Sequence, residues 1–222
     1  MQKPITIVAG LPRSGTSMMM RMLEAGGMEV AVDNVRQADE DNPRGYYEFE
    51  RVKDIRQDRS WLNGLEDKVV KMVSMLLFDL PSDKRYKIVF MKRNMQEILS
   101  SQRIMLDRRG EKGQSPEEMA VMYEKHLGEI EKWLREQGNV EVLFVNYNEM
   151  LKNPREIVPL INRFFNNALN AESMFTVVDP SLYRQRSEQK EGQQPAARQE
   201  ASADSEGEKE KIEAQLKALG YM

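Results

Sequence analysis

The sequence predicts an α/β domain of three layers, a mainly parallel sheet flanked by helices. Three observations lead there. Short continuous apolar runs alternate with stretches of helical period, the pattern of strands buried on both faces and joined by crossover helices. The first run leads directly into a glycine-bracketed loop and then a helix, a strand–loop–helix unit. The chain has 222 residues, 40% apolar and 31% charged, enough for one core of ordinary composition and too few for two large domains.

The elements follow in order. Ile5 to Ala9 is the first strand, Gly10 to Gly15 the turn after it. The next helix begins near Thr16, carries Met18, Met19, Met22 and Leu23, and stops at Gly26-Gly27, a C-terminal signal. At helical spacing these methionines read as core filler, with Met20 off that face. Residues 33 to 64 are polar and without strong period. Strands are predicted at Lys68 to Val73, Lys87 to Met91 and Val140 to Val145. Asn94 and Glu97 look like an N-cap and its partner, opening a helix with Ile98, Leu99, Met105 and Leu106. Ser115-Pro116 opens another, lined by Met119, Met122, Ile130, Trp133 and Leu134. Asn153-Pro154 opens a helix holding Ile157, Leu160, Ile161, Phe164 and Phe165, which Pro159 should kink or delay. The domain is predicted over residues 1–186. Residues 187–222 read as a disordered tail, Gln-, Glu-, Ala- and Ser-rich up to Gly207, with a short helix possible from Glu208 to Leu219.

Composition removes several chemistries. There is no cysteine and one histidine, which excludes disulfides, thiolate catalysis and multi-histidine metal sites. A net charge of −3 argues against general affinity for nucleic acid or anionic membrane, so any anion site is local. No apolar run approaches the ~20 residues of a membrane span, and the N-terminal apolar stretch is short for a signal peptide. The expectation is a cytoplasmic protein.

Local anion binding points to Gly10-Leu-Pro-Arg-Ser-Gly15-Thr16-Ser17. Two glycines five positions apart let backbone wrap an anion, the helix N-terminus adds N–H groups and a favourable dipole, and Thr16 and Ser17 offer hydroxyls. A nucleoside-triphosphatase loop would carry lysine where Thr16 stands. Here the cation is Arg13, inside the loop, and no apolar run ends in an evident magnesium-binding Asp.

Leu11-Pro-Arg-Ser-Gly-Thr-Ser17 resembles the 5′-phosphosulfate loop of the PAPS-dependent sulfotransferases, where PAPS is 3′-phosphoadenosine 5′-phosphosulfate. Arg93-Asn-Met-Gln-Glu-Ile-Leu-Ser-Ser101 resembles that family's 3′-phosphate motif, an arginine ending a strand and a serine eight residues on. Asn146-Tyr147-Asn-Glu-Met-Leu-Lys-Asn-Pro154 resembles its Tyr-Glu-Asp-Leu…Pro stretch, whose tyrosine lies near the adenine. The likeness runs over roughly residues 5 to 166, with the motifs in order. It implies a P-loop NTPase-like fold and PAPS as sulfuryl donor, held by Pro12, Arg13, Ser14, Gly15, Thr16, Ser17, Arg93, Ser101 and Tyr147, with no metal expected. Physical reasoning agrees at Arg93, since a guanidinium at a strand's carboxyl end faces the ligand crevice of an α/β sheet.

Sulfuryl transfer, like phosphoryl transfer, rests on positioning and charge stabilisation. Arg13 is placed to stabilise the leaving phosphate. The acceptor's proton needs a base. One branch of the family uses a histidine on a Lys-Thr-His strand; the similar stretch here is Val70-Lys71-Met72-Val73, with Val73 in the histidine's place and Lys71 left to contact the sulfuryl group. His126 reads as structural or solvent-facing. Other branches use a glutamate after the first helix, which makes Glu48 the first candidate, Glu50 the second and Asp41 the third. Tyr46, Tyr47 and Phe49 are expected to desolvate Glu48 and raise its pKa. The family's glycine-rich Arg-Lys-Gly loop over the 3′-phosphate has no counterpart; Tyr183-Arg184-Gln185-Arg186 is the nearest basic group. Two other readings stand beside this one: a P-loop kinase or NTPase with an altered loop, and a non-catalytic nucleotide-binding module. The acceptor, a hydroxyl or an amine, would be read by residues 28 to 65 and 107 to 118, whose mixed charges do not define it.

Overall fold

β1 (Ile5–Gly10) is buried along its whole length, which only a central strand covered on both faces allows. The computed structural model describes residues 3–33, 35–178 and 205–222. β1 is followed by α1 (Thr16–Ala25), the two-residue β2 (Glu29–Val30), β3 (Lys68–Val73), β4 (Tyr86–Lys92), α2 (Met95–Arg109), α3 (Pro116–Glu136) and β5 (Val140–Asn146). The strands pair in parallel in the order β2-β3-β1-β4-β5. Gly10 is level with Val73 on one side and Met91 on the other, so the carboxyl ends of the three central strands form one edge. Ligand crevices of open α/β sheets lie at that edge.

The three layers follow from alternation along these strands. Ile5, Ile7 and Ala9 of β1, Val70 and Met72 of β3, and Ile88 and Phe90 of β4 join one apolar cluster, packed with α2 and α3. Val8, Val69, Val89 and Met91 point into a second cluster. That one holds Met19, Met20, Met22 and Leu23 of α1 and three short helices after β5: α4 (Tyr147–Lys152), α5 (Pro154–Phe164) and α6 (Ala171–Phe175). Apolar residues on both sides of each strand are the reason its sequence reads as a continuous run rather than as alternation.

The structure refines several sequence expectations. Met20 is fully buried with its neighbours, because α1 is covered by the sheet beneath and α6 beside it and so buries more than one stripe. Leu160 is 45% exposed, on the outer side of α5, which runs on through Pro159. α4 was hidden in the motif after β5; the Asn146 side chain caps it, accepting from the N–H groups of Asn148 and Glu149. Asn94 does cap α2, accepting from Glu97 N at 3.3 Å. Glu97, however, sends its carboxylate to Arg93 and Asn148 rather than back to the cap. The polar stretch after α1 carries short 3₁₀ turns at Glu50–Asp54 and Ser60–Leu62 that bury Val52, Trp61 and Leu62.

Past α6 the sequence reading ended the domain at 186. The expected short helix is present as α7 (Ser205–Ala218), yet it is no detached tail. Ile212, Leu216 and Leu219, at helical spacing, are buried in the first cluster beside α3. Their spacing was legible; the composition around them masked it. Residues 187–204 and the basic group Tyr183–Arg186 lie outside the described residues. Among the described residues no helix is long and apolar enough to cross a membrane.

Candidate active site

The loop between β1 and α1 needs its glycines. A Cβ on Gly10 would sit 2.6 Å from Ser14 Oγ and 2.7 Å from the Met91 carbonyl oxygen. A Cβ on Gly15 would sit 2.3 Å from the Tyr147 ring, and Gly15 has φ 97°. Between them Arg13 adopts φ 74°, a left-handed conformation that costs a non-glycine residue about 1–2 kcal/mol. It is held by its surroundings. Arg93 donates to the Arg13 carbonyl at 2.9 Å, and Gln102 to the Pro12 carbonyl at 3.1 Å. With these carbonyls tied to α2 and the end of β4, the loop is braced before any ligand arrives.

α1 starts without a side-chain cap and with no acidic residue in its first turn. α2, α3, α4 and α6 are capped by Asn94, Ser115, Asn146 and Asn170. The first N–H groups of α1 and its dipole are therefore left for an external anion.

Over this N-terminus opens a cleft lined by Arg13, Gly15, Thr16, Ser17, Asp41, Arg93, Arg108, Ser101, Tyr147 and Tyr221, among others. Arg13 Nε donates to Ser101 Oγ at 2.9 Å, and its terminal nitrogen to the Asp41 carbonyl at 2.8 Å. Arg93 pairs with the buried Glu97 at 2.9 Å, and its guanidinium lies 4.7 Å from the centroid of Tyr147. Tyr147 is buried, closing the floor against Gly15; burial raises its phenol pKa. The arginines give the cleft positive charge despite the net negative chain.

Behind this cleft lies a second polar cluster. Glu48 Oε1 accepts from Arg36 at 3.0 Å and from Lys71 Nζ at 3.3 Å, while Oε2 is buried without a partner among the described residues. Lys71 also donates to the Tyr46 carbonyl; burial lowers its pKa to about 8, against the opposing pull of Glu48. The Arg36 guanidinium lies 3.6 Å from the Tyr46 ring centroid and 4.9 Å from that of Tyr221. Tyr221 is buried beside this cluster, with Arg13 and Arg36 close enough to act on its phenol by charge; burial raises its pKa.

The predicted donor residues Arg13, Gly15, Thr16, Ser17, Arg93, Ser101 and Tyr147 thus share one cleft, together with Asp41. Details differ from expectation. Ser17 Oγ already donates to the Tyr46 carbonyl and accepts from Asn42 Nδ2, so it braces the loop. Pro12 contributes through its carbonyl, and Ser14 is fully buried with its hydroxyl unpartnered among the described residues. Of the carboxylates, Glu50 pairs with Lys53 at 2.8 Å outside the cleft, and Asp41 pairs with Arg108 at 2.6 Å. Glu48 and Lys71 meet each other but do not line the cleft. Glu48 is buried, but of the three aromatics expected around it Tyr47 hydrogen-bonds Glu24 and Phe49 stacks edge-on against Trp61 at 5.9 Å, while Tyr46 packs under Arg36. Two cations face Glu48 instead. His126 is buried against Ser74 Oγ at 2.8 Å, the structural alternative of the two foreseen.

Arg36, Gln102, Arg108 and Tyr221 went unnoticed in the sequence. Gln102 and Arg108 follow Ser101 on α2 at one and seven residues, so the helix itself offered a signal for Arg108, one turn spacing repeated twice. Arg36 and Tyr221 carry none; they meet only through the tertiary fold.

No curated protein matches the sequence significantly. The solved structures similar to it include two sulfotransferases. The sulfotransferase domain from the curacin biosynthetic pathway is 13% identical with a TM-score of 0.46, over 97% of this chain and 98% of that one. The sulfotransferase from Alicyclobacillus acidocaldarius is 15% identical with a TM-score of 0.42, over 75% of this chain and 82% of that one. The family described as the sulfotransferase domain matches residues 3–216. That span runs from β1 and its braced loop through the Arg93–Ser101 segment into α7, and so the chain belongs to the sulfotransferase family.

Proposed function

We propose that the protein transfers a sulfuryl group from 3′-phosphoadenosine 5′-phosphosulfate to a hydroxyl or amine acceptor. The carrying observation is the convergence of Arg13, Arg93, Ser101 and Tyr147 on one cleft above the uncapped start of α1. The donor set suits such a nucleotide: backbone N–H groups and Thr16 for the 5′-phosphate, Arg93 and Ser101 for the 3′-phosphate, the Tyr147 face for the base. When bound, this donor supplies an activated sulfuryl group whose leaving oxygen develops negative charge.

The chain's own residues supply the rest. Arg13, already aimed by Ser101 and the Asp41 carbonyl, offers preorganised positive charge to that oxygen. Arg36 and Lys71 hold Glu48 through Oε1 alone, which leaves Oε2 as the atom to accept the acceptor's proton. Lys71 adds positive charge from the β3 side.

Calorimetric titration with 3′-phosphoadenosine 5′-phosphate, beside ATP with magnesium, tests the reading. Micromolar binding of the bisphosphate without competition from ATP is expected. Ser101→Ala and Arg93→Ala should each weaken it, Arg93→Ala by about ten- to a hundredfold, the range of hydrogen bonds to charged groups. Tighter binding of magnesium-ATP, indifferent to Arg93, would replace this reading with a P-loop kinase of altered loop.

A further inference from the structure

Gln102 is buried on α2, and its Nε2 donates to the Pro12 carbonyl at 3.1 Å. Arg93 donates to the next carbonyl, that of Arg13, at 2.9 Å. These two carbonyls belong to the peptide planes before and after the Arg13 Cα. A residue at φ 74° returns to an ordinary conformation only by swinging one of those planes. Tying both holds the strained rotation in place. The Ser14 N–H closes the turn on the Leu11 carbonyl at 3.1 Å.

Gln102 is held in its turn. Its Oε1 accepts from the Tyr123 hydroxyl of α3 at 3.1 Å and from Gln215 Nε2 of α7 at 3.4 Å. Gln215 Oε1 accepts from the backbone N–H of Gln114 at 3.2 Å. Gln102, Tyr123 and Gln215 are all buried. Their donor and acceptor roles fit one arrangement. The Gln114 N–H only donates, which turns the Gln215 amide so that its nitrogen faces Gln102. That nitrogen only donates, which turns the Gln102 amide so that its own nitrogen faces Pro12. The Pro12 carbonyl only accepts, so both ends of the relay ask for the same orientation, and the tyrosine hydroxyl suits it. Reversing either amide would set donor against donor in a buried place, where an unmade hydrogen bond is costly.

We propose that Gln102 is a positioning residue for the 5′ end of the donor, and that Tyr123 and Gln215 hold it to that task, so that α7 acts on the phosphate loop through side chains outside the cleft. The inference rests on the sulfuryl-donor reading for the identity of the ligand, while the relay needs only the loop. Its influence should be one-sided. The relay ends on the loop that is to hold the 5′-phosphate, whereas the 3′-phosphate is assigned to the side chains of Arg93 and Ser101. A loop that loses one of its two ties spends part of its time outside the binding conformation, and apparent affinity falls by that fraction.

The test uses Gln102→Met and Gln215→Met, each checked for folding by thermal melting. Calorimetry compares 3′-phosphoadenosine 5′-phosphate with adenosine 3′-phosphate, which keeps the base and the 3′ end and has no 5′-phosphate. Gln102→Met should lose about tenfold in affinity for the bisphosphate, the scale of a buried hydrogen bond left unmade, and nothing for adenosine 3′-phosphate. Gln215→Met should show the same split at about threefold, because its bond to Gln102 is the longest of the relay. It is also the gentler change, since Gln215 lines a cavity with Leu99 and Met119 where water can take over the Gln114 N–H; should Gln102→Met fail to fold, Gln215→Met decides alone. Hydrogen exchange at the Ser14 amide should accelerate in both unliganded variants, with that of Ile7 in β1 unchanged. Equal losses for the two nucleotides in a folded variant, or undisturbed Ser14 exchange, overturn the proposal. A split in Gln102→Met with none in Gln215→Met overturns the part given to α7. Wild type that binds neither nucleotide, while Ser14 exchange answers to both substitutions, overturns the donor assignment and leaves the relay.

Discussion

Arg13 Nε donates to Ser101 Oγ at 2.9 Å across 88 residues of sequence. The bond joins the loop after β1 to the second turn of α2, the two segments expected to hold opposite ends of one nucleotide. Its partner bond, from the same guanidinium to the Asp41 carbonyl at 2.8 Å, uses the fork geometry that lysine lacks. Arg13→Lys should therefore keep the charge and lose the aim. The expected result is donor affinity within a fewfold of wild type with turnover down by about 10²-fold, and Arg13→Ala lower still, in the range seen when one charge-stabilising donor is removed. Steady-state kinetics beside bisphosphate calorimetry separates the two effects. Equal loss of binding and turnover in Arg13→Lys would mean that aim matters only for binding.

Gly15 and Tyr147 interlock, since a Cβ on Gly15 would lie 2.3 Å from the ring. Gly15→Ala meets both that clash and a φ of 97°. Overpacking of this kind costs typically 1–3 kcal/mol, and the backbone conformation about 1–2 kcal/mol more. The double variant Gly15→Ala with Tyr147→Ala should recover the first part and not the second. Urea denaturation of the four proteins of this cycle measures the division; full recovery in the double variant would show that the backbone conformation carries no cost.

Much of this was readable in the sequence, and the reasons for the rest are physical. β1, β3, β4 and β5 showed because strands buried on both faces are continuous apolar runs. Arg93 and Ser101 showed because their spacing along one helix is local. Glu48 and Lys71 were named, but not that each would find the other with Arg36, because their meeting depends on how the polar segment before β3 folds over the sheet edge. Tyr221 was hidden by the composition of the stretch before it, although Ile212, Leu216 and Leu219 at helical spacing already marked α7 as a packed helix.

His126 is buried against Ser74, and burial lowers its pKa from 6.5 to about 4. In the unfolded chain it takes a proton near pH 6.5, in the folded chain only near 4. The unfolded state binds more protons across that window, so stability is lost as pH falls through it. The loss attributable to this residue is on the order of 3 kcal/mol at pH 4, at about 1.36 kcal/mol per pKa unit. His126→Gln, which can still reach Ser74, should flatten the slope between pH 6.5 and 4 in denaturation curves. An unchanged slope would place the titration elsewhere.

Lys71 titrates on the other side of neutrality. Burial lowers its pKa from 10.5 to about 8, with Glu48 opposing. Between about pH 8 and the unfolded lysine's value the unfolded state again holds more protons, so stability should rise with pH, by at most one proton's slope of about 1.4 kcal/mol per unit. The rise should end near pH 10, where exposed tyrosines of the unfolded chain ionise while Tyr147 and Tyr221, raised by burial, do not; there the unfolded state holds fewer protons and stability falls. A maximum near pH 10 is thus the expected signature. Lys71→Met should remove the rising limb and keep the fall. It should also lower turnover, because Glu48 then keeps only Arg36 as a partner on Oε1. Loss of turnover together with an unaltered rising limb would mean that Lys71 acts in the reaction but stays charged across that range, and the burial argument for its pKa would be wrong.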